Sequence, residues 1–179
     1  MTNPFTAHPA SVGETYGQHF RFASRFGARM RTITVEATAT PGATLLATSP
    51  ILTPATDTSI ALYGSAGSLG ALVLTDANVS TFSAKAQVRF VNVSPDLASI
   101  DVYANGTLAV SGLVQNSASG YPLLDAVAGG TSYQFDFDLS GSTTPALTLP
   151  PVTLVAGNVY TIYVMGPASA LRGIVVQDF

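Results

Sequence analysis

The residues that could do chemistry are sparse, and the most suggestive are two aspartates in an alternating segment. Asp136 and Asp138 alternate with Phe135 and Phe137, and successive side chains of a β-strand point to opposite faces. Two carboxylates on one face are an arrangement that calcium sites and glycosidases use. Because the two phenyl rings require the buried face, we expect both aspartates on the solvent face. The pattern therefore favours a surface strand over a calcium or glycosidase site.

The other candidate residues do not form a catalytic or metal-binding pattern. Histidine occurs only at His8 and His19, in a segment without cysteine, so a zinc site would need ligands from elsewhere. No G-x-S-x-G motif offers a serine nucleophile. The glycine-rich run at 64–70 precedes a predicted strand, whereas a phosphate-binding loop precedes a helix. We predict a hairpin turn there, and no enzyme activity, catalytic residue, cofactor or metal site.

Most of the basic residues are close together in the first part of the chain. Four of the seven lie between positions 21 and 31. Such a group is usually a solvated face, but it could also contact the acidic groups of a neighbouring molecule. The residues predicted for self-association are Phe5, Val12, Arg21, Arg25, Arg29 and Arg31. Three aspartates outside this group, Asp76, Asp96 and Asp178, are expected to shape turns.

Composition excludes several classes of function. The chain has 179 residues, of which 9% are charged and 47% hydrophobic, and its net charge is -3. Lys85 is the only lysine, so a basic patch for nucleic acid is not expected. No apolar run approaches the roughly 18 residues of a membrane helix, so no membrane insertion is expected. The chain has no cysteine, and residues 1–12 do not resemble a signal peptide. We expect a mature secreted or bacterial cell-surface segment without its leader, with a cytoplasmic protein as the alternative.

The elements that position these residues come from an internal repeat. Shifted by 102 positions, Thr58–Asp76 aligns without a gap on Tyr160–Asp178, and Gly64 coincides with Gly166. The stretch Ala86–Val102, which opens the second copy, has no counterpart at this offset. Nearly every segment alternates with the period of a β-strand, and Asn105-Gly106 predicts a tight hairpin. The spacing of strands in the second copy is typical of an immunoglobulin-like sandwich.

The sequence thus predicts an all-β protein with two tandem immunoglobulin-like antiparallel β-sandwich modules, the first lacking its opening strands. We divide it into an extended N-terminal arm (1–15), an incomplete module (16–77), a linker (78–86) and a complete module (87–179). The passage from Phe22 to Met30 is compatible with a short helix, but the repeat favours strands separated by a turn.

The second copy resembles a known family. AQVRFVNVSPD at 86–96 and IDVYANG at 100–106 are similar to repeats of the bacterial domain of unknown function 4397 family, which typically read RFVNASPD and then VDVYVNG. The AGNVYTIYVMG and LRGIVVQD segments match the family's later pattern, and the first copy matches it loosely. This resemblance implies exported tandem β-sandwiches without established catalytic residues. A gapped alignment makes Phe20-Arg21-Phe22 a degenerate version of Val88-Arg89-Phe90.

Two functions of different classes follow from these observations. The first is a non-enzymatic extracellular structural subunit that associates with itself, as a homo-oligomer or a filament, when a strand of a neighbour or of the arm completes the first module. The second is a cell-surface adhesion or ligand-binding module for a glycan or protein. A third explanation of the incomplete repeat is that its missing strands lie upstream.

Overall fold

The computed structural model describes residues 19–23, 29–30, 32–36, 43–52, 56–65, 67–77 and 82–178. These residues form β-strands, one short 3₁₀ helix and no α-helix, so the described chain is all-β. No helix among them is long and apolar enough to cross a membrane. The strands of the first repeat are β1 (His19–Ala23), β2 (Arg29–Met30), β3 (Ile33–Glu36), β4 (Thr44–Thr48), β5 (Ile51–Leu52), β6 (Asp57–Ser65) and β7 (Ser68–Asp76). Those of the second are β8 (Lys85–Asn92), β9 (Ser99–Ala104), β10 (Thr107–Val114), β11 (Ser117–Ala118), β12 (Leu123–Asp125), β13 (Thr131–Tyr133), β14 (Phe135–Leu139), β15 (Pro145–Thr148), β16 (Val152–Leu154), β17 (Val159–Met165) and β18 (Arg172–Gln177), with the 3₁₀ helix at Ala168–Ala170.

Two main sheets of the second repeat enclose one hydrophobic core. One sheet has the order β10-β9-β14-β15, and the other has β8 between β17 and the short strands β11 and β12, with β18 beyond β17. Phe90 of the second sheet lies edge-on to Phe135 and Phe137 of the first, with ring centroids 5.6 and 6.2 Å apart. Alternate residues of facing strands fill the core because each strand turns one face inward.

One pair of strands departs from the predicted antiparallel arrangement. β8 runs parallel to β17, with Arg89 opposite Thr161 and Phe90 opposite Ile162. Parallel neighbours need a long crossover connection, and here all the strands between β8 and β17 supply it. The other described strand pairs are antiparallel. The described sheets are therefore antiparallel, as predicted, except at this central pair of strands.

Two alternating segments of the second repeat each form two strands. The segment 131–139 forms β13 and β14, interrupted at Gln134, and the segment 145–154 forms β15 and β16. Proline has no backbone N–H for a ladder, so Pro150-Pro151 interrupts the second of these. β13 and β16 pair with each other in a separate two-stranded sheet.

The internal repeat is confirmed in the register of the hairpins. In β6–β7 Ile60 faces Val73, and in β17–β18 Ile162 faces Val175, each residue 102 positions after its counterpart. Each hairpin begins its turn with a glycine of positive φ, 95° at Gly64 and 89° at Gly166. A Cβ atom at Gly166 would lie 2.5 Å from the carbonyl oxygen of Ala170, so the turn requires glycine.

The first repeat has a strand beside β6, although the ungapped repeat offers no counterpart there for the opening segment of the second copy. β1 pairs with β6 and occupies the position that β8 has beside β17. Arg21 stands opposite Ser59 in this register, as Arg89 stands opposite Thr161, which agrees with the gapped alignment. β1 is antiparallel to its neighbour, whereas β8 is parallel. The strand interpretation of this region is confirmed for 19–23 and 29–30.

Candidate functional site

The candidate site is a buried ion pair where the two repeats meet, and β8 positions it. Both faces of β8 are covered, because Phe90 points into the core between the sheets while Arg89 points the other way. The Arg89 side chain is only 3% exposed. It lies against the β6–β7 hairpin of the first repeat. A buried guanidinium needs a full set of partners, since an unpaired buried charge is very costly.

Arg89 obtains these partners from both repeats. Its Nη2 donates to Asp76 Oδ1 at 2.5 Å and its Nη1 donates to the Thr75 carbonyl at 3.0 Å. Arg89 therefore binds two consecutive residues at the end of β7. Its Nε and Nη2 donate to Thr161 Oγ1 at 3.1 and 2.9 Å. The Asp178 carboxylate lies 3.9 Å from Nη2, and the Tyr121 ring lies 5.0 Å from the guanidinium carbon. The fork geometry of arginine allows one side chain to bind all of these groups.

The partners themselves are related by the repeat. Ser59 Oγ donates to Asp76 Oδ2 at 2.8 Å, and Thr161 Oγ1 donates to Asp178 Oδ2 at 2.5 Å. Each residue of the second pair follows its counterpart by 102 positions. The two hairpins thus bring the same hydroxyl–carboxylate pair to one place, where Arg89 neutralises part of the charge. We call these five residues, Ser59, Asp76, Arg89, Thr161 and Asp178, the Arg89 cluster.

Apolar side chains surround the Arg89 cluster. Ala61 and Leu74 of the β6–β7 hairpin pack against Val91, Tyr163 and Met165 of the second repeat in a cluster separate from the main core. Burial raises the pKa of the Tyr163 hydroxyl far above its ordinary value of 10.0. The surrounding apolar side chains keep water from the ion pair and hold the hairpin on the sheet by hydrophobic contact.

The expected role of two aspartates is corrected by this arrangement. Asp76 and Asp178 were predicted to shape turns at strand ends, but both are buried partners of Arg89. Asp96 accepts a hydrogen bond from the Ala168 amide at 2.8 Å and so ties its turn to the 3₁₀ helix. The cluster's hydroxyls and carboxylates are buried and bonded to one another and to Arg89, so the arrangement is suited to joining the repeats.

The paired aspartates of β14 only partly follow their prediction. Phe135 and Phe137 are fully buried in the core, as expected. Asp136 is half-buried and accepts a hydrogen bond from Thr148 Oγ1 at 2.6 Å, whereas Asp138 is only 6% exposed and its Oδ1 has no hydrogen-bond donor. Asp138 stands directly opposite Asp101 on β9. Burial raises the pKa of Asp138, and the charges of Asp136 and Asp101 raise it further.

Replacing Asp138 by asparagine is expected to raise the free energy of unfolding at pH 7. In the folded protein the pKa of Asp138 is above its ordinary value of 3.8, so the folded state binds the proton more tightly than the unfolded state. At high pH the ionised Asp138 therefore lowers the free energy of unfolding of the parent protein. This loss disappears as the pH falls through the folded pKa toward 3.8. Urea unfolding of parent and Asp138→Asn at pH 7 and pH 4 measures this. Asp136→Asn is the matched control and should give no gain, because Thr148 already donates to Asp136.

Of the six residues predicted for self-association, only Arg21 and Arg29 lie in the part of the chain that the structure describes. Phe5, Val12, Arg25 and Arg31 lie outside the described residues, as does His8. Arg21 and Arg29 lie in β1 and β2, where only the backbone is described, and His19 begins β1. Within the described ranges no three histidine, aspartate or glutamate side chains form a group that could hold a metal ion.

Sequence reasoning missed Arg89 as a site residue. In the sequence Arg89 stands out only as part of the RFVNVSPD segment. Its partner in the first repeat, Asp76, lies in a different sheet, so no local pattern links the two residues. The signal that could have found it is the coincidence of Asp76 with Asp178 in the repeat, because both lie in segments of otherwise apolar residues.

Comparison with known families supports the interpretation of the second repeat. A family model described as Domain of unknown function (DUF4397) matches residues 86–179. A second one, described as Family of unknown function (DUF6356), matches residues 2–39. No curated protein matches the chain. The first match covers more than half of the chain and includes Arg89, Thr161 and Asp178, so the protein belongs to the DUF4397 family.

Proposed function

We propose that the protein is a non-enzymatic extracellular structural subunit that associates with itself by adding strands edge to edge. Its two repeats would be immunoglobulin-like β-sandwich modules, and its location would be the bacterial cell surface, as the family resemblance implies. The observation that carries the proposal is a pair of equivalent strand edges, those of β7 and β18, which no other described strand covers.

The two edges are regular and unprotected. β6–β7 and β17–β18 pair without a register shift, and among the described residues no strand lies on the outer side of β7 or β18. The Asp178 amide bonds to the Val159 carbonyl, and bonded pairs alternate along an antiparallel ladder. The backbone groups of Val175 therefore point outward, as do those of Val73 in the equivalent register. Their side chains are 38% and 41% exposed.

The contacts between the repeats support an arrangement with these two edges on opposite sides. Arg89 of β8 reaches the end of β7, and the Ala77 amide donates to the Tyr121 hydroxyl beside β12. In the sheet that contains β8, β17 and β18, the end of β7 therefore lies over the β8 side. β18 lies beyond β17, at the other side of the same sheet. A subunit with like edges on opposite sides can pair with a neighbour at each, and such pairing builds an open filament when the rotation does not close.

The other sheet of the second repeat has blunted edges. β10 pairs with β9 through two register shifts, and β15 contains Pro145 and a shift opposite β14. Bulges and proline are features that protect an edge from pairing with another chain. The contrast with β7 and β18 favours these two strands as the surfaces for self-association.

The double substitution Val73→Pro and Val175→Pro is expected to abolish association. Proline removes the outward N–H of each edge but leaves the ladder to β6 and β17 intact, since that N–H does not bond to either strand. Sedimentation over a range of concentrations should show large assemblies for the parent and an 18.4 kDa monomer for the variant. The matched control, Val73→Thr with Val175→Thr, keeps both N–H groups and should assemble. A parent that stays monomeric, or a proline variant that assembles equally well, would contradict the proposal.

A second candidate function, ligand binding, has one observation in its favour. A cleft of about 440 Å³ lies between β10 and β12, lined by Leu108, Leu123, Tyr133, Asn105 and Asp125 among others. Its exposed leucines and polar groups suit a small amphipathic ligand or an extended peptide. Tyr160 and Tyr163 are buried, so neither ring can stack on a glycan. Screening of the parent against a library of short extended peptides, with Leu123→Asp as the control, tests this function.

A further inference from the structure

Among the described residues, no backbone ladder joins the β6–β7 hairpin to the second repeat. Its sheet, β1-β6-β7, shares no strand with the sheets of the second repeat. In the part of the chain that the structure describes, the contacts across the boundary include the Arg89 cluster, the surrounding apolar side chains and the bond from Ala77 to Tyr121. With β1 still paired to β6, this three-stranded sheet can leave and return as one unit without breaking a backbone ladder to the second repeat.

We propose that the outer face of β8, β17 and β18 is a hairpin-docking surface that accepts β6–β7 of a second copy as well as the chain's own. This proposal deepens, and rests on, the self-association proposed above, because it adds a reciprocal exchange of hairpins to the pairing of edges. The partner it fits is a β-hairpin with a serine on one strand and an aspartate at the end of the other.

The chemistry of the docking surface makes the exchange specific. Arg89 is buried, so a hairpin that lacked the carboxylate of Asp76 would leave a charge without its nearest partner. The hairpin of another copy carries the same Ser59–Asp76 pair and the same apolar residues. It can therefore make the same ion pair with Arg89 and the same apolar contacts with the docking surface. The link from Asp76 to Lys85 has eight intervening residues, which extend to about 28 Å at most. Exchange of an identical element between copies is a low-cost route to dimers.

A pair of charge-reversed chains tests the exchange. Asp76→Arg in one chain opposes the native Arg89, and Arg89→Asp in another opposes the native Asp76, so each chain alone lacks its own ion pair. In a mixture, the arginine at position 76 of the first meets the aspartate at position 89 of the second, and the reciprocal interface is the native pair. We expect a 1:1 heterodimer by light scattering. The matched control carries both substitutions in one chain, which restores the ion pair within that chain, and it should be a monomer by the same measurement.

The background of the experiment separates this proposal from the edge pairing. All chains also carry Val73→Pro and Val175→Pro, so edge-to-edge assembly is blocked. A heterodimer in this background supports exchange even if the edge proposal fails. If the mixture contains only separate chains while the double charge reversal folds, the docking surface accepts only its own hairpin and the proposal is overturned. Should a single variant be insoluble, co-expression of the two with different tags gives the same two outcomes through copurification or its absence.

Discussion

Replacing Arg89 by methionine is expected to lower the free energy of unfolding by about 3–5 kcal/mol, because removal of one partner of a buried pair leaves uncompensated charge. Arg89→Met leaves two carboxylates, Asp76 and Asp178, facing apolar surroundings without the guanidinium that binds Asp76 at 2.5 Å. It also removes the donors to the Thr75 carbonyl and to Thr161. Urea unfolding at pH 7, followed by circular dichroism, measures the loss.

A surface ion pair of the same length provides the control for Arg89. Lys85 Nζ lies 2.5 Å from Asp125 Oδ1, but the two side chains are 40% and 87% exposed. Exposed pairs are screened by water and contribute about 0–1 kcal/mol, so Lys85→Met should have a small effect. Equal losses for the two methionine variants would contradict a special role for burial. A cycle with Asp76→Asn, which removes one of the two uncompensated charges, should show strong coupling to Arg89→Met.

The structural features that could be predicted from the sequence are those that a few neighbouring residues determine. The Asn105-Gly106 hairpin is confirmed, with φ of 49° and 74°, because the two turn residues themselves determine the backbone. The hairpin repeat was visible because the spacing of Gly64 and Gly166 is preserved along with the strands that follow. The alternation of Phe135 and Phe137 correctly placed both rings in the core, since period two needs no knowledge of the neighbouring strand.

The missed features depend on which strands meet. Alternation along β8 predicts one solvent-exposed face, which would include Arg89. The β6–β7 hairpin covers that face, so Arg89 is buried. The parallel pairing of β8 with β17 joins the two ends of the module, and nothing local to either strand specifies direction. For the same reason the first repeat seemed to lack a neighbour for β6, although β1 fills that position in the opposite direction. Asp138 was expected in solvent because its packing against β9 and β15 is a tertiary effect.

The residue after Arg89 carries the second large effect. Replacing Phe90 by alanine is expected to lower the free energy of unfolding by about 3–5 kcal/mol, because the cavity it leaves cannot collapse in a close-packed core. The Phe90 ring is fully buried and joins the two sheets through its edge-on contacts with Phe135 and Phe137. Leu108→Ala is the control, since Leu108 is 50% exposed and its truncation should change stability by less than about 0.5 kcal/mol.

Hydrogen exchange distinguishes the two sides of β8, since Phe90 and Arg89 point to opposite faces of the same strand. Phe90→Ala should reduce amide protection mainly in β9 and β14, whose side chains surround the ring. Arg89→Met should reduce it mainly in β6 and β7, because the hairpin loses its ionic attachment. If both variants lower protection evenly over all these strands, the two repeats unfold as one cooperative unit, and a separable hairpin is ruled out. If the losses fall on different sides, the second repeat keeps its core when the hairpin is released, which is the property that exchange between copies requires.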